Sequence, residues 1–237
     1  TRLINGLIPH FYEDCSLAGT VTIFGKSVPD TELYELAKTA GSVFQNPKSQ
    51  FFHLNSDAEL AFGLENRGMP RNEMVYRLER TVSDLHMEKL LHRNTFELSG
   101  GEKQALAFAC VHAMGPEVYV LDEPTANLDE KAILLLREQI RRVKEEGKTV
   151  VIAEHRLWFL ADLIDRAVYL SDGRIAGEYS REEFLSLTDA QRVSMGLRTI
   201  VPVQLPEASP CDHGAFSVTD LSLSLIHISE PTRPERI

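Results

Sequence analysis

The strongest constraint in this chain is a strand–helix–strand run between residues 118 and 153. Val118-Tyr119-Val120-Leu121 is wholly apolar and short, as a buried strand would be. Residues 130–146 follow, with Ile133, Leu136, Ile140 and Val143 on one helical face and Gly147 closing the helix. Residues 149–153, Thr-Val-Val-Ile-Ala, are a second apolar run, expected as another buried strand. Two strands joined through a helical crossover lie parallel as neighbours in one sheet. The fold class is therefore α/β. Ligands of such sheets bind beyond the carboxyl ends of the strands, which brings Asp122, Glu123 and His155 to one rim.

The other segments carry weaker signals. Residues 1–8 have helical spacing, with Leu3, Ile4 and Leu7 on one face. Residues 19–28 read as a strand and a glycine turn, and residues 41–44 as a short strand ending at Gln45, with an Asn46-Pro47 loop beyond. Residues 56–93 look helical and highly charged, broken near Gly68-Met69-Pro70. A helix is expected from Ser99 to Met114, stopped by Gly115-Pro116. Asp172-Gly173 predicts a hairpin between residues 167–170 and 174–178, after which Ser180 and Glu183 cap a short helix. Residues 200–215, with Pro202, Pro206 and Pro210, read as a linker, and residues 215–221 alternate like the first strand of something new.

Composition narrows the function class. At 237 residues, 43% hydrophobic and 25% charged, the chain suits one good-sized globular domain. A net charge of -10 removes any general attraction for nucleic acid or anionic lipid, so no nucleic-acid partner is expected. Cys15, Cys110 and Cys211 have no metal-like spacing and read as incidental thiols in a reducing compartment. No apolar run approaches the ~20 residues of a membrane helix, and Thr1-Arg2-Leu3 opens without a signal-peptide pattern. A cytoplasmic protein that meets a membrane through partners is the default expectation.

Two segments carry candidate chemistry. The run from Val118 ends in Asp122-Glu123, and adjacent carboxylates at a strand end are either a solvated acidic turn or a cation and proton-relay site. Leu98-Ser99-Gly100-Gly101-Glu102-Lys103-Gln104 opens a helix. Ser99 and Glu102 form an S-x-x-E capping box. Two glycines in the first turn weaken a helix by about 1 kcal/mol each, which makes sense if a ligand must approach bare amides there.

This second string resembles the signature motif of ABC ATPases, and its neighbours agree in order and spacing. Gln45 in Val43-Phe44-Gln45-Asn46-Pro47 resembles the Q-loop, Pro124-Thr125-Ala126-Asn127-Leu128-Asp129 the stretch that includes the D-loop, and His155 the switch histidine. The resemblance covers residues 1 to about 185. It implies a P-loop NTPase core with a helical subdomain, ATP and Mg²⁺ as ligands, and roles for single residues. Asp122 would organise Mg²⁺, with Gln45 sensing the ion and the attacking water. Glu123 would be the base and His155 would touch the γ-phosphate. Ser99, Gly100, Gly101 and Glu102 would serve a nucleotide held by a second ABC domain, tandem or in a homo- or heterodimer. Asp129 would reach across that interface.

The string G-x-x-x-x-G-K-[ST] does not occur in the chain. Gly25-Lys26-Ser27 lacks a glycine five positions earlier, where Thr20 stands. Family members continue from the P-loop into a sequence like Thr1-Arg2-Leu3-Ile4-Asn5-Gly6-Leu7, so the expectation is a polypeptide that begins just after its Walker A and is inactive alone. The expected organisation is a truncated core at 1–47, a helical subdomain at 48–114 ending in the signature helix, and core again at 115–199. A linker at 200–214 and the start of a possible second ABC domain at 215–222 follow. Residues 223–237 resemble a translated sequencing adapter. The strings at residues 8–13, 44–50 and 59–66 resemble ATPase subunits of energy-coupling-factor importers, which take up vitamins and metal ions. That likeness implies transmembrane partner subunits and a place at the cytoplasmic face of the membrane. A soluble ABC protein of repair or translation, and a non-hydrolysing half, are the alternatives.

Overall fold

The structure, a computed structural model, describes residues 1–12 and 15–200. Residues 201–214 of the linker, the possible second domain, the adapter-like tail, Cys211 and Glu13 of the 8–13 string lie outside the described residues. The elements in chain order are α1 (Leu7–His10), β1 (Thr22–Ile23), β2 (Lys26–Ser27), α2 (Leu33–Thr39), β3 (Ala40–Val43), α3 (Ser56–Asn66), α4 (Arg71–Leu85), α5 (Gly100–Met114), β4 (Val118–Asp122), α6 (Glu130–Glu145), β5 (Thr149–Ala153), β6 (Arg166–Ser171), β7 (Arg174–Ser180), α7 (Arg181–Ser186) and α8 (Asp189–Ser194).

The central sheet runs β3-β4-β5, all parallel, with Val43 opposite Leu121 and Asp122 opposite Ala153. The crossover through α6 is the one expected from sequence. α6 buries Ile133, Leu136, Ile140 and Val143, each at most 2% exposed. Each such aliphatic side chain contributes roughly 1.5–3 kcal/mol. On the middle strand β4 only Asp122 escapes full burial. Phe108 of α5 stacks on Tyr119 at 5.8 Å between ring centroids, fixing α5 against the sheet.

Three expectations need correction. Residues 1–8 do not form one helix: turns occupy residues 2–6 and α1 begins at Leu7, with Ile8 extended at φ -109, ψ 123. Pro9 follows Ile8, and a residue before proline is pushed out of helical geometry. The charged helical stretch stops at Leu85 rather than 93, because His86 takes a left-handed conformation at φ 54 and returns its N–H to Ser83 and Val82. β5 is not buried: Thr149 and Ala153 are exposed and the three residues between are half-buried. Among the described residues β5 pairs only with β4, so one of its edges has no strand beside it.

α5 starts and stops as its sequence predicts. Ser99 and Glu102 make both bonds of a capping box, and Gly115 ends the helix at φ 61. β6 and β7 form the predicted hairpin, with Asp172 at φ 50 and Gly173 at φ 73 in the turn. Positive φ at both turn residues matches the right-handed twist of the strands, and glycine adopts it without steric cost.

Candidate functional site

Parallel strands place their carboxyl ends on one rim, and the side chains just past β3, β4 and β5 meet there. The backbone ladder ends where Glu123 N–H donates to Ala153 O at 2.8 Å. Beyond that rung the contacts pass to side chains. Gln45 Nε2, two residues after β3, donates to Glu123 Oε2 at 2.7 Å. His155 Nε2 stands 3.0 Å from Glu123 Oε1. Asp122 Oδ2 accepts from Thr1 Oγ1 at 3.0 Å. The His155 side chain is 75% exposed and that of Glu123 is 35% exposed, so a ligand can reach both.

Glu123 itself sits at φ 42. Left-handed backbone costs a non-glycine residue roughly 1–2 kcal/mol. Such strain persists where the surroundings impose it, and it concentrates at functional sites. Here the imposing contacts are the Ala153 rung behind the residue and the two side-chain partners in front.

The glycine-opened helix forms a second locus. Ser99 and Gly100 are exposed. Ser99 N–H donates to Glu102 Oε2 at 2.8 Å, and this bond is the main reason the Glu102 carboxyl is held below its ordinary range. Gly100 and Gly101 fill the first turn, where helix geometry supplies no acceptor for their amides. Gly101 also has a packing reason to be bare: a Cβ there would fall 2.7 Å from Ala132 Cβ of α6. At Gly100 the nearest atom to such a Cβ would be Asn127 O at an ordinary 3.5 Å, so packing does not demand a glycine there. Asp129 is the N-cap of α6, accepting from Ala132 N–H at 2.8 Å.

Sequence reasoning passed over two side chains that hold these loci. Lys103 is buried, and its Nζ donates to Leu98 O at 2.5 Å and Phe96 O at 3.1 Å, tying down the turn before Ser99. A lysine in the first turns of a helix reads as solvated, and backbone acceptors leave no mark in sequence. Glu154 accepts from Thr125 and from the two residues after itself. Its position beside His155 at a strand end was the one available signal.

Elsewhere, Asp84, His112 and Glu146 bring ligand-type atoms within 4.8 Å of one another. Arg142 already donates to Asp84 at 2.6 Å and lies 3.7 Å from Glu146, and Arg80 lies 3.3 Å from Asp84. The acids therefore have cations, and the cluster reads as an ion-pair network joining α4 and α6.

A family model described as ABC transporter matches residues 2–126. A Treponema denticola protein named as an ABC transporter ATP-binding protein is 43% identical over 238 residues, covering 97% of this chain and 48% of its own length. A second from that organism is 39% identical, with 40% of its length covered. A Pyrococcus horikoshii protein of the same description is 35% identical over 186 residues, which make up 78% of this chain and 69% of that protein. The chain thus spans about half or less of the length of the two Treponema relatives. Among solved structures, CbiO1 of Clostridium perfringens, described as part of the ABC transporter complex CbiONQ, superposes with a TM-score of 0.69. It shares 25% identity and the match covers 81% of this chain and 75% of that one.

Proposed function

This chain belongs to the ABC transporter family, and from that premise we propose that residues 1–200 form most of a nucleotide-binding domain that hydrolyses ATP, paired head to tail with a second ABC domain, to drive solute uptake. The observation that carries the reading is the single carboxylate of Glu123, bonded by Gln45 and His155 at one sheet rim beside Asp122. In this reading Asp122 and Gln45 would hold Mg²⁺, which would supply neutralisation of the phosphate charge, and Glu123 orients water for attack on the γ-phosphate. A carboxylate held between a donor amide and an imidazole suits that task. His155 stabilises the transferred phosphoryl group, and ATP supplies the phosphoanhydride that is cleaved. The exposed turn at Ser99–Gly100 and the amides of Gly100 and Gly101 serve the nucleotide of the partner domain, with Glu102 holding the turn and Asp129 at the same interface.

Contact with a membrane would come through partner subunits. No helix among the described residues is long and apolar enough to cross a membrane. A cavity of about 350 Å³ is lined by Phe51, Phe62, Met114 and Phe44, the residue before Gln45 in the chain. Its size suits an apolar side chain or two of a transmembrane subunit, with Gln45 as the relay. The strings at residues 8–13, 44–50 and 59–66 support an energy-coupling-factor importer for a metal ion or vitamin, and the likeness to CbiO1, part of an ABC transporter complex, supports membrane partner subunits.

The test is ATP turnover by the full-length protein with Glu123→Gln. Turnover is expected to fall by about 100-fold or more while ATP is still bound. Unchanged hydrolysis would end the assignment of Glu123 as base.

A further inference from the structure

Resting on the reading of this rim as a hydrolytic site, we propose that Glu154 is a positioning residue that, together with Arg156, clamps the 124–129 segment to the segment carrying His155, so that the two move as one body. Each oxygen of the Glu154 carboxylate accepts two hydrogen bonds. Oε1 takes the backbone N–H groups of His155 at 2.8 Å and Arg156 at 2.9 Å. Oε2 takes the Thr125 hydroxyl at 2.7 Å and the Thr125 N–H at 3.3 Å.

The placement follows from the sheet. β4 and β5 run parallel, and their ladder ends at the rung from Glu123 N–H to Ala153 O. The next residue on the β5 side is Glu154, and its side chain continues the ladder by bonding the chain two residues beyond Glu123. Thr125 is fully buried, so its hydroxyl needs an acceptor inside the protein. Arg156 provides the other half, with Nη1 donating to Leu128 O at 3.1 Å. His155 is therefore flanked by two side chains that both grip the 124–129 segment. That segment ends at Asp129, the cap of α6.

The consequence is mechanical. The amides of His155 and Arg156 are fixed by one carboxylate, which fixes the direction in which the imidazole leaves the backbone toward Glu123. A displacement of His155 on meeting phosphate is carried through Glu154 and Arg156 to Thr125, Leu128 and Asp129. Glutamine cannot replace this acid fully, because its NH₂ would face a donor where Oε2 or Oε1 now accepts.

The experiment compares Glu154→Gln, Thr125→Val and the double variant in the full-length protein. It reads kcat and KM for ATP together with amide hydrogen exchange at residues 125, 155 and 156. Glu154→Gln is expected to lower kcat at least about tenfold with KM changed less than about threefold, since misplacement of a reacting group acts on the chemical step. Exchange at His155 and Arg156 should rise while the β4–β5 ladder stays protected. The double variant should be little worse than the worse single, the mark of one shared interaction. A kcat within about twofold of wild type, unchanged exchange, or effects that multiply independently overturns the clamp. If Glu154→Gln does not fold, Thr125→Val and Arg156→Lys are read the same way, by the kcat-to-KM split and by exchange. Turnover that survives Glu123→Gln ends the hydrolytic reading. Turnover lost with Glu123→Gln but kept with Glu154→Gln ends only the clamp.

Discussion

His155 Nε2 and Glu123 Oε1 stand 3.0 Å apart across a sequence separation of 32 residues. The contact exists because β4 and β5 are parallel neighbours whose ends are level, Asp122 opposite Ala153. It places a proton acceptor and an imidazole in one hydrogen-bonded pair, with Gln45 on the carboxylate's other oxygen. Four predictions follow from this rim and from the elements behind it.

The strained backbone at Glu123 separates stability from activity. Glu123→Gly and Glu123→Ala both remove the carboxylate, but only glycine relaxes a φ of 42. Glu123→Gly should be more stable than Glu123→Ala by about 1 kcal/mol in urea unfolding, with neither hydrolysing ATP. Equal stabilities would show that position 123 is not strained.

Gly101 is bare because α6 leaves no room. Gly101→Ala should destabilise the protein by about 1–3 kcal/mol, as overpacking does. Ala132→Gly should recover part of that loss in the double variant, since the two Cβ atoms would otherwise meet at 2.7 Å. Additive losses in the cycle would remove the packing explanation.

Asp129 has a visible duty as a helix cap and a proposed one at an interface, and two substitutions part them. Asp129→Ala should lose about 1 kcal/mol of stability with the cap. Asp129→Asn keeps an oxygen for the Ala132 amide, so its stability should match wild type while ATP turnover falls. An Asn variant with full turnover would leave Asp129 only its cap.

His112 makes stability depend on pH. Burial between α5, α4 and α6 lowers its pKa from the ordinary 6.5, outweighing the acids Glu146 and Asp84, while Arg142 and Arg80 add to the lowering. Its Nδ1 also meets Tyr119 OH at 3.2 Å. The unfolded chain therefore takes the proton more readily than the folded one, and stability falls as pH drops below about 6.5. His112→Gln should lose less stability than wild type between pH 7.5 and 5.5, read from urea midpoints at ~pH 7.5, 6.5 and 5.5. Parallel curves for the two proteins would contradict this.

Much of the frame was legible because its signals are periodic or local. The crossover through α6 announced itself by four apolar residues at helical spacing, and the α5 cap by Ser99 and Glu102 three apart. What escaped depended on partners distant in sequence. Nothing near Lys103 states that its ammonium will find the carbonyls of residues 96 and 98 inside the protein. Nothing near Glu154 names Thr125, 29 residues earlier. The expected burial of β5 failed for the same reason, since an apolar run does not say how many neighbours its strand will have. The helix over residues 1–8 failed locally, where Pro9 outweighed the spacing of Leu3, Ile4 and Leu7.

The ammonium of Lys103 has one more implication, for chemical footprinting. Reagents that acylate surface amines will modify Lys131, which is exposed, and spare Lys103 for as long as the loop ahead of Ser99 keeps its carbonyls around it. The rate at which Lys103 becomes labelled therefore clocks the opening of that loop, and mass spectrometry can follow it without any nucleotide present.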